Sequence, residues 1–222
     1  MSKLLEFDNI TFSAGISGAP VCISGNLEAG SVLNLRGPSG AGKTTLLRIL
    51  ARLREPDQGT VWLKGRSWTD FSPSGWRRKV YYLSQKPVLF DGTVMDNLKK
   101  PFELAVVRND AQFDPDRAGY YMKHLFLPAE LLDQDARTIS GGEAARLGLV
   151  RALLTGQGVL LLDEPLAALD QMAAGAVLKL IAAWLHEDED RGAVIVSHTG
   201  EMEILPHVSV LELKRKAGGH DE

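Results

Sequence analysis

The sequence predicts an α/β fold whose core holds a mixed β-sheet, with an antiparallel β part near the N-terminus and an inserted α-helical subdomain. Two continuous apolar runs, residues 159–162 and 193–196, are each flanked by helical segments, which is typical of central strands in a parallel sheet. Between residues 92 and 156 the strand signals fade and the spacing of apolar residues becomes helical. That stretch is therefore predicted to form a helical insertion in the sheet-based core.

Short apolar and β-branched runs dominate the first part of the chain, separated by Gly, Pro and Asp. They lie at residues 4–12, 21–24, 31–35, 61–63 and 80–83. Because few helical segments intervene, apart from a helix-like run at residues 45–53, this part is expected to be partly antiparallel. Within the helical stretch, Pro101, Pro115 and Pro128 are expected to divide the chain into several short helices.

Length and charge narrow the possible functions. A chain of 222 residues indicates a single domain, with residues 1–85 and 157–222 as the core and 86–156 as the helical subdomain. A net charge of −3 disfavours nucleic acid as the main partner. The sequence contains neither a signal-peptide pattern nor a run approaching the roughly 20 apolar residues that span a bilayer. We therefore expect a cytoplasmic protein whose membrane role, if any, requires a partner.

A glycine-rich segment, residues 37–44, lies between a predicted strand and a predicted helix and matches the pattern of phosphate-binding loops. Its glycines let backbone N–H groups face one anion, and the following helix directs its positive dipole end to the same place. Lys43 can reach the β- and γ-phosphates, and the Thr44 hydroxyl suits Mg²⁺. The segment therefore predicts binding of a nucleoside triphosphate with Mg²⁺. The candidate binding residues are Gly37, Ser39, Gly40, Ala41, Gly42, Lys43, Thr44 and Thr45.

Two carboxylates, Asp163 and Glu164, end the apolar run at residues 159–162. At the carboxyl edge of a parallel sheet such groups meet ligands. Asp163 is predicted to hold the magnesium ion of the nucleotide, directly or through water, and Glu164 to polarise the water that attacks the γ-phosphate. Adjacent residues of a strand face opposite sides, so the two acids are expected to have different roles.

A second candidate anion site begins at Ser140, where a serine and two glycines open a predicted helix. Ser140 can cap this helix, and the exposed backbone N–H groups of Gly141 and Gly142 favour phosphate. Because one nucleotide does not need two such sites on one chain, residues 140–142 are expected to serve a nucleotide held by another copy of the chain. The alternative interpretation is an ordinary N-capped helix.

The order of these motifs closely resembles that of the ATP-binding cassette (ABC) ATPase family, over nearly the whole chain. Residues 37–44 resemble Walker A, Gln85 the Q-loop, 139–143 the signature, 159–164 Walker B, 167–170 the D-loop and 196–198 the switch histidine. The resemblance implies ATP and Mg²⁺ as ligands, a homodimer closed by ATP, and catalytic roles for Glu164, His198 and Gln85. It also implies that Ser140, Gly141, Gly142 and Glu143 contact nucleotide.

Several of these roles have alternatives. His198 can hydrogen-bond a γ-phosphate oxygen or the attacking water, or be a core histidine. Gln85 can contact metal or water and sense the γ-phosphate, or simply close a strand. Phe12 lies where the family places an aromatic that stacks on adenine, and the alternative is packing. Asp170 is expected at the dimer seam, as a helix N-cap, or as both.

Two departures from the family pattern concern charge and dimer contacts. Glu143 stands where many members have Gln, which brings a carboxylate near a triphosphate. Thr199 stands in place of a frequent Asp and is expected to alter contacts across the dimer. We expect turnover to be slower than is typical of the family.

The resemblance implies an ATP-hydrolysing subunit that powers transport through a separate integral-membrane permease on the cytoplasmic face of the inner membrane. Exposed apolar residues at 88–90 are expected to form the socket for the permease. The motif spacing is most similar to small subunits assigned to iron or metal export. The alternative is a soluble ABC ATPase, such as one for iron–sulfur cluster assembly. A non-hydrolysing cassette is disfavoured because Lys43, Asp163, Glu164 and His198 are all present.

Overall fold

The computed structural model describes residues 2–15, 18–108, 111–155, 158–167, 169–197 and 202–214. The strands are β1 (Lys3–Ala14), β2 (Ala19–Glu28), β3 (Val32–Arg36), β4 (Gln58–Leu63), β5 (Arg66–Ser67), β6 (Val80–Leu83), β7 (Val159–Asp163), β8 (Gly192–Val196) and β9 (Val208–Glu212). The α-helices are α1 (Lys43–Leu50), α2 (Pro73–Lys79), α3 (Val94–Glu103), α4 (Ala105–Arg108), α5 (Pro115–His124), α6 (Gly141–Thr155) and α7 (Gln171–His186). Short 3₁₀ turns occur at Trp68–Asp70, Ala129–Asp133, Ala136–Thr138 and Met202–Ile204.

The strands form two sheets, which together give the mixed β-structure that the sequence predicts. One sheet is antiparallel, in the order β2-β1-β4-β5, and the other is parallel, in the order β6-β7-β8-β3-β9. All carboxyl ends of a parallel sheet lie at one edge. The segments that follow β3, β6 and β7 therefore meet there, which brings the glycine-rich loop, Gln85 and Asp163 to a common site.

The side chains of the parallel sheet alternate between two buried clusters. On β7, Val159 and Leu161 pack with the antiparallel sheet and α1, whereas Leu160 and Leu162 pack with α6 and α7. Both faces are covered, which explains why this strand is a continuous apolar run. The sheet edge is thus held rigidly between two layers, a suitable base for a binding site.

The helical stretch lies between β6 and β7, as predicted, but its prolines act differently from one another. Pro115 begins α5 at its first turn, a position where the missing N–H is tolerated, and Pro128 precedes the 3₁₀ turn at Ala129–Asp133. Pro101 does not separate helices as expected: it lies inside α3, which ends two residues later at Glu103. No helix in the described ranges is long and apolar enough to cross a membrane.

The bounds of α1 differ from the predicted residues 45–53. The helix starts at Lys43, directly after Gly42, and ends at Leu50. Its end follows from the backbone of Arg52, whose φ of 54° is left-handed and cannot continue an α-helix. The Arg52 guanidinium then donates to the carbonyls of Trp68 and Phe71, which anchors the turn.

Candidate nucleotide site

The glycine-rich loop has a backbone that requires glycine at defined positions. Gly37, Gly40 and Gly42 have φ values of 148°, 75° and 100°. A Cβ on Gly42 would lie 2.7 Å from the Phe12 ring and 2.9 Å from the Ala14 Cβ. The loop therefore packs directly on β1, and any side chain at Gly42 would push the two apart.

The Lys43 side chain is held inside this loop by hydrogen bonds to its backbone. Its ammonium group donates to the carbonyl oxygens of Gly37, at 2.8 Å, and Pro38, at 3.1 Å, and the residue is only 7% exposed. Both acceptors are neutral carbonyls, so neither balances the positive charge of Lys43. An incoming phosphate would supply that counter-charge.

The predicted loop residues differ in exposure. Ser39 and Gly40 are exposed, Gly37, Gly42, Thr44 and Thr45 are partly buried, and Ala41 is buried in the cluster beneath α1.

Asp163 lies at the end of β7 and is 4% exposed. The Thr44 hydroxyl donates to its Oδ1 at 3.1 Å, and the Tyr82 hydroxyl donates to its Oδ2 at 2.9 Å. Burial raises the pKa of Tyr82 above its usual value, although the adjacent Arg48 opposes this shift. The structure thus joins Thr44 to Asp163, the two residues predicted to share a magnesium ion.

Glu164 turns the chain out of β7. Its φ of 50° is left-handed, uncommon for a residue other than glycine, and its N–H donates to the Val196 carbonyl at 3.1 Å. Its carboxylate accepts a 2.8 Å hydrogen bond from the Gln85 amide. The two adjacent acids therefore meet different partners, as strand geometry predicts.

The Ser140 segment forms a capping box. The Glu143 carboxylate accepts from the Ser140 N–H and hydroxyl, each at 2.7 Å, while the Glu143 N–H donates to the Ser140 hydroxyl at 3.3 Å. The hydrogen bonds from Ser140 hold the pKa of Glu143 below its usual range. Glu143 thus occupies the Ser140 donors that the sequence assigns to phosphate, and a nucleotide would have to displace it. Gly141 is exposed and Gly142 partly buried.

The stacking role predicted for Phe12 needs correction. The residue is 1% exposed in the buried cluster that includes the apolar residues of α1, and its ring lies against Gly42. A buried ring offers no free face to a base, so the packing alternative describes this conformation. Ile10, Phe12 and Ala14 alternate along β1 and are all buried. Because alternate residues of a strand face the same side, this apolar pattern was the sequence signal that Phe12 faces the core.

Two further predicted residues have different outcomes. Asp170 caps α7, because its carboxylate accepts from the Ala173 N–H at 2.8 Å. His198 lies outside the described residues, and its role stays a prediction.

The segment after Gln85 is fixed by buried polar side chains that the sequence analysis missed. Asn97, fully buried, accepts from the Phe90 N–H and donates to the Phe90 carbonyl, and Arg151 donates to the Val88 carbonyl at 2.8 Å. Val88 and Phe90 remain 66% and 41% exposed. Leu89, predicted to join them, packs against the core instead.

Gly148 brings this segment close to α6. A Cβ there would lie 2.6 Å from Pro87. The close contact joins the Gln85 segment to the helix that Ser140 begins.

Comparisons with known proteins agree with this arrangement. The sequence profile of the family described as "ABC transporter" matches residues 22–167. The Probable iron export ATP-binding protein FetA of Escherichia coli (strain K12) is 35% identical over 221 residues, which is 100% of this chain and 96% of FetA. The Mycobactin import ATP-binding/permease protein IrtB of Mycolicibacterium thermoresistibile is 37% identical over 87% of this chain, which corresponds to 33% of IrtB.

Solved structures show the same fold. A dimeric post-hydrolysis state of the ATP-binding cassette MJ0796 bound to ADP and Pi has a TM-score of 0.80 at 22% identity, covering 96% of this chain and 97% of that one. A bacterial Atm1-family ABC exporter with ATP bound has a TM-score of 0.80 at 24% identity, covering 96% of this chain and 37% of that one.

Proposed function

Because the chain belongs to the ABC transporter family, we propose that it binds and hydrolyses ATP to drive transport through a separate membrane permease. The observation that carries the proposal is the convergence of Lys43, Thr44, Asp163 and Glu164 at the carboxyl edge of the parallel sheet. A phosphate-binding loop, hard oxygen donors and a carboxylate for water activation are the groups that phosphoryl transfer to water requires.

The residues at this edge fit Mg²⁺. The Thr44 hydroxyl, the Asp163 carboxylate and the Gln85 amide oxygen are the hard oxygen donors that this ion prefers. These residues would hold Mg²⁺, which would supply positive charge to neutralise the triphosphate and polarise the γ-phosphate.

Hydrolysis would use this chain's residues as follows. Lys43 exchanges the carbonyls of Gly37 and Pro38 for the β- and γ-phosphates. Glu164 exchanges the Gln85 amide for a water molecule and accepts its proton as the water oxygen bonds to the γ-phosphorus. The bond between the γ-phosphorus and the bridging oxygen breaks, which gives ADP and phosphate. On the family resemblance, His198 contacts the γ-phosphate.

We further propose that the active site is completed by a second copy of the chain. Ser140, Gly141 and Gly142 would contact the nucleotide held by the partner, after Glu143 leaves the Ser140 donors. The homodimer would thus form when ATP binds, and the capping box would be its resting state.

The helical subdomain, residues 86–156, would transmit this closure to the permease, with 1–85 and 157–222 as the nucleotide-binding core. Exposed Val88 and Phe90, on a segment fixed by Asn97 and Arg151, support a docking surface there. The chain would then lie at the cytoplasmic face of the membrane. Similarity to FetA over the full chain supports iron export as the process.

The transport role is tested by affinity capture of the tagged chain from detergent-solubilised membranes of its own organism. We expect one multi-span protein in near-equal amount, and its loss from the double variant Val88→Asp, Phe90→Asp. Val210→Asp, at another exposed apolar position on β9, is the matched control and should retain the partner. Recovery of soluble partners only would contradict the transport role while leaving ATP hydrolysis intact.

A further inference from the structure

We propose that Tyr82 is a positioning residue for Mg²⁺ binding, which holds the Asp163 carboxylate with Oδ1 beside the Thr44 hydroxyl. The inference rests on the function proposed above. Tyr82 belongs neither to the glycine-rich loop nor to the carboxylate pair, and it lies three residues before Gln85 on β6. Its role would be to fix the direction of a magnesium ligand without contacting the ion itself.

The geometry of Asp163 leaves its carboxylate little freedom. β6 and β7 are neighbouring parallel strands in which Leu83 pairs with Leu162. From β6, the Tyr82 hydroxyl donates to Oδ2 of Asp163 at 2.9 Å. From α1, the Thr44 hydroxyl donates to Oδ1 at 3.1 Å. Rotation of the carboxylate would break both hydrogen bonds, and at 4% exposure water has little access to replace them.

The two oxygens of the Asp163 carboxylate have different donors. Oδ2 accepts from the Tyr82 hydroxyl, which has a single proton to give, and Oδ1 accepts from the Thr44 hydroxyl. The two hydrogen bonds come from β6 and α1, so together they fix the orientation of the carboxylate.

Loss of the Tyr82 hydroxyl should lower the affinity for Mg²⁺ more than the affinity for the nucleotide. Groups that orient a metal ligand from outside the coordination sphere typically change metal affinity by about 10- to 100-fold when they are lost. Tyr82→Phe removes only the hydroxyl and keeps the ring that packs against the core cluster of α1. We expect the Mg²⁺ affinity of the nucleotide-bound protein to fall about tenfold.

The test uses the full chain and a fluorescent ATP analogue. Nucleotide affinity is measured in EDTA, and Mg²⁺ is then titrated at fixed nucleotide. In Tyr82→Phe the Mg²⁺ midpoint should rise about tenfold, while affinity in EDTA changes by less than about twofold. Tyr81→Phe is the matched control: its ring packs on the opposite face of β6, and its midpoint should equal that of the wild type.

An unchanged midpoint in Tyr82→Phe, or an equal loss of affinity with and without Mg²⁺, would overturn the inference. If the wild type bound nucleotide without any dependence on Mg²⁺, the proposed function itself would fail, a result visible before any variant is made. Should Tyr82→Phe not fold, Tyr82→Met decides, because the flexible methionine side chain fills a partly buried site without offering a donor. Its midpoint should also rise about tenfold, and no rise would overturn the inference.

Discussion

The Gln85 side-chain amide donates a hydrogen bond of 2.8 Å to the Glu164 carboxylate, linking the start of the helical segment to the end of β7. The carboxylate proposed to activate water therefore has a protein partner in the Gln85 amide. Pro87 packs directly on Gly148 of α6. If the Gln85–Glu164 contact were released and the segment after Gln85 rotated, α6 would therefore move with it. ATP binding at the core would thereby be coupled to the helical subdomain.

Replacing Gly42 with alanine should disable the nucleotide loop. The added Cβ would lie 2.7 Å from the Phe12 ring at a φ of 100°, so β1 and the loop must separate. We expect a loss of about 1–3 kcal/mol in the free energy of unfolding and at least about a tenfold loss of ATP affinity. Urea unfolding and equilibrium nucleotide binding measure the two effects.

Gly119→Ala is the control for this change. A Cβ on Gly119, in α5, has no neighbour within 4 Å. The variant should bind ATP normally and gain up to about 1 kcal/mol of stability from helix propensity. Normal nucleotide binding by Gly42→Ala would show that the loop does not need its close contact with β1.

The capping box at Ser140 should make stability depend on pH. The folded-state pKa of Glu143 lies below its ordinary value of 4.5, mainly because of the Ser140 hydroxyl and N–H, with Arg146 adding to the shift. Its stabilisation is therefore fully present above 4.5 and is lost as the pH falls through the folded-state pKa. Ser140→Ala should cost about 1 kcal/mol at neutral pH and progressively less in acid.

Urea unfolding at a series of pH values, from neutral to acid, measures this difference. Glu143→Gln, which keeps an acceptor but no titrating charge, should remove the pH dependence of the pair. A Ser140→Ala penalty that stays constant across the series would mean that the carboxylate does not depend on Ser140.

The composite active site predicts a dimer that depends on ATP. With Mg-ATP, the Glu164→Gln protein should shift in light scattering from the mass of a monomer toward that of a dimer, since nucleotide that is not hydrolysed keeps both sites closed. Adding Ser140→Arg should abolish the shift, because a long charged side chain would block the partner's nucleotide. Ser74→Arg, at an exposed serine of α2, should leave the shift unchanged. Dimerisation that survives Ser140→Arg would contradict the role of this segment.

The α/β fold class and the family resemblance were both predictable from the sequence and are confirmed. Continuous apolar runs identify buried parallel strands because both faces of β7 are covered. The pairing of Thr44 with Asp163 follows from the shared sheet edge: the loop after β3 leads to Thr44, and β7 ends at Asp163. Short motifs such as the glycine-rich loop predict site residues because each motif places particular side chains next to a defined backbone conformation.

Three contacts that depend on how distant strands and helices pack could not be predicted from the sequence. The link from Tyr82 to Asp163 depends on β6 pairing with β7, strands that are far apart in the chain. Burial of Phe12 depends on the glycine loop lying against β1. Asn97 fixes the Phe90 backbone only because α3 folds back onto the preceding segment.

The most direct test of the account compares ATP binding and steady-state hydrolysis in the wild type and Glu164→Gln. Glutamine keeps the size of the side chain but cannot accept the proton of the attacking water. We expect ATP affinity within about twofold of the wild type and turnover reduced about 100- to 10,000-fold. Undiminished hydrolysis by Glu164→Gln would contradict the assignment of water activation to this carboxylate, and with it the proposed mechanism.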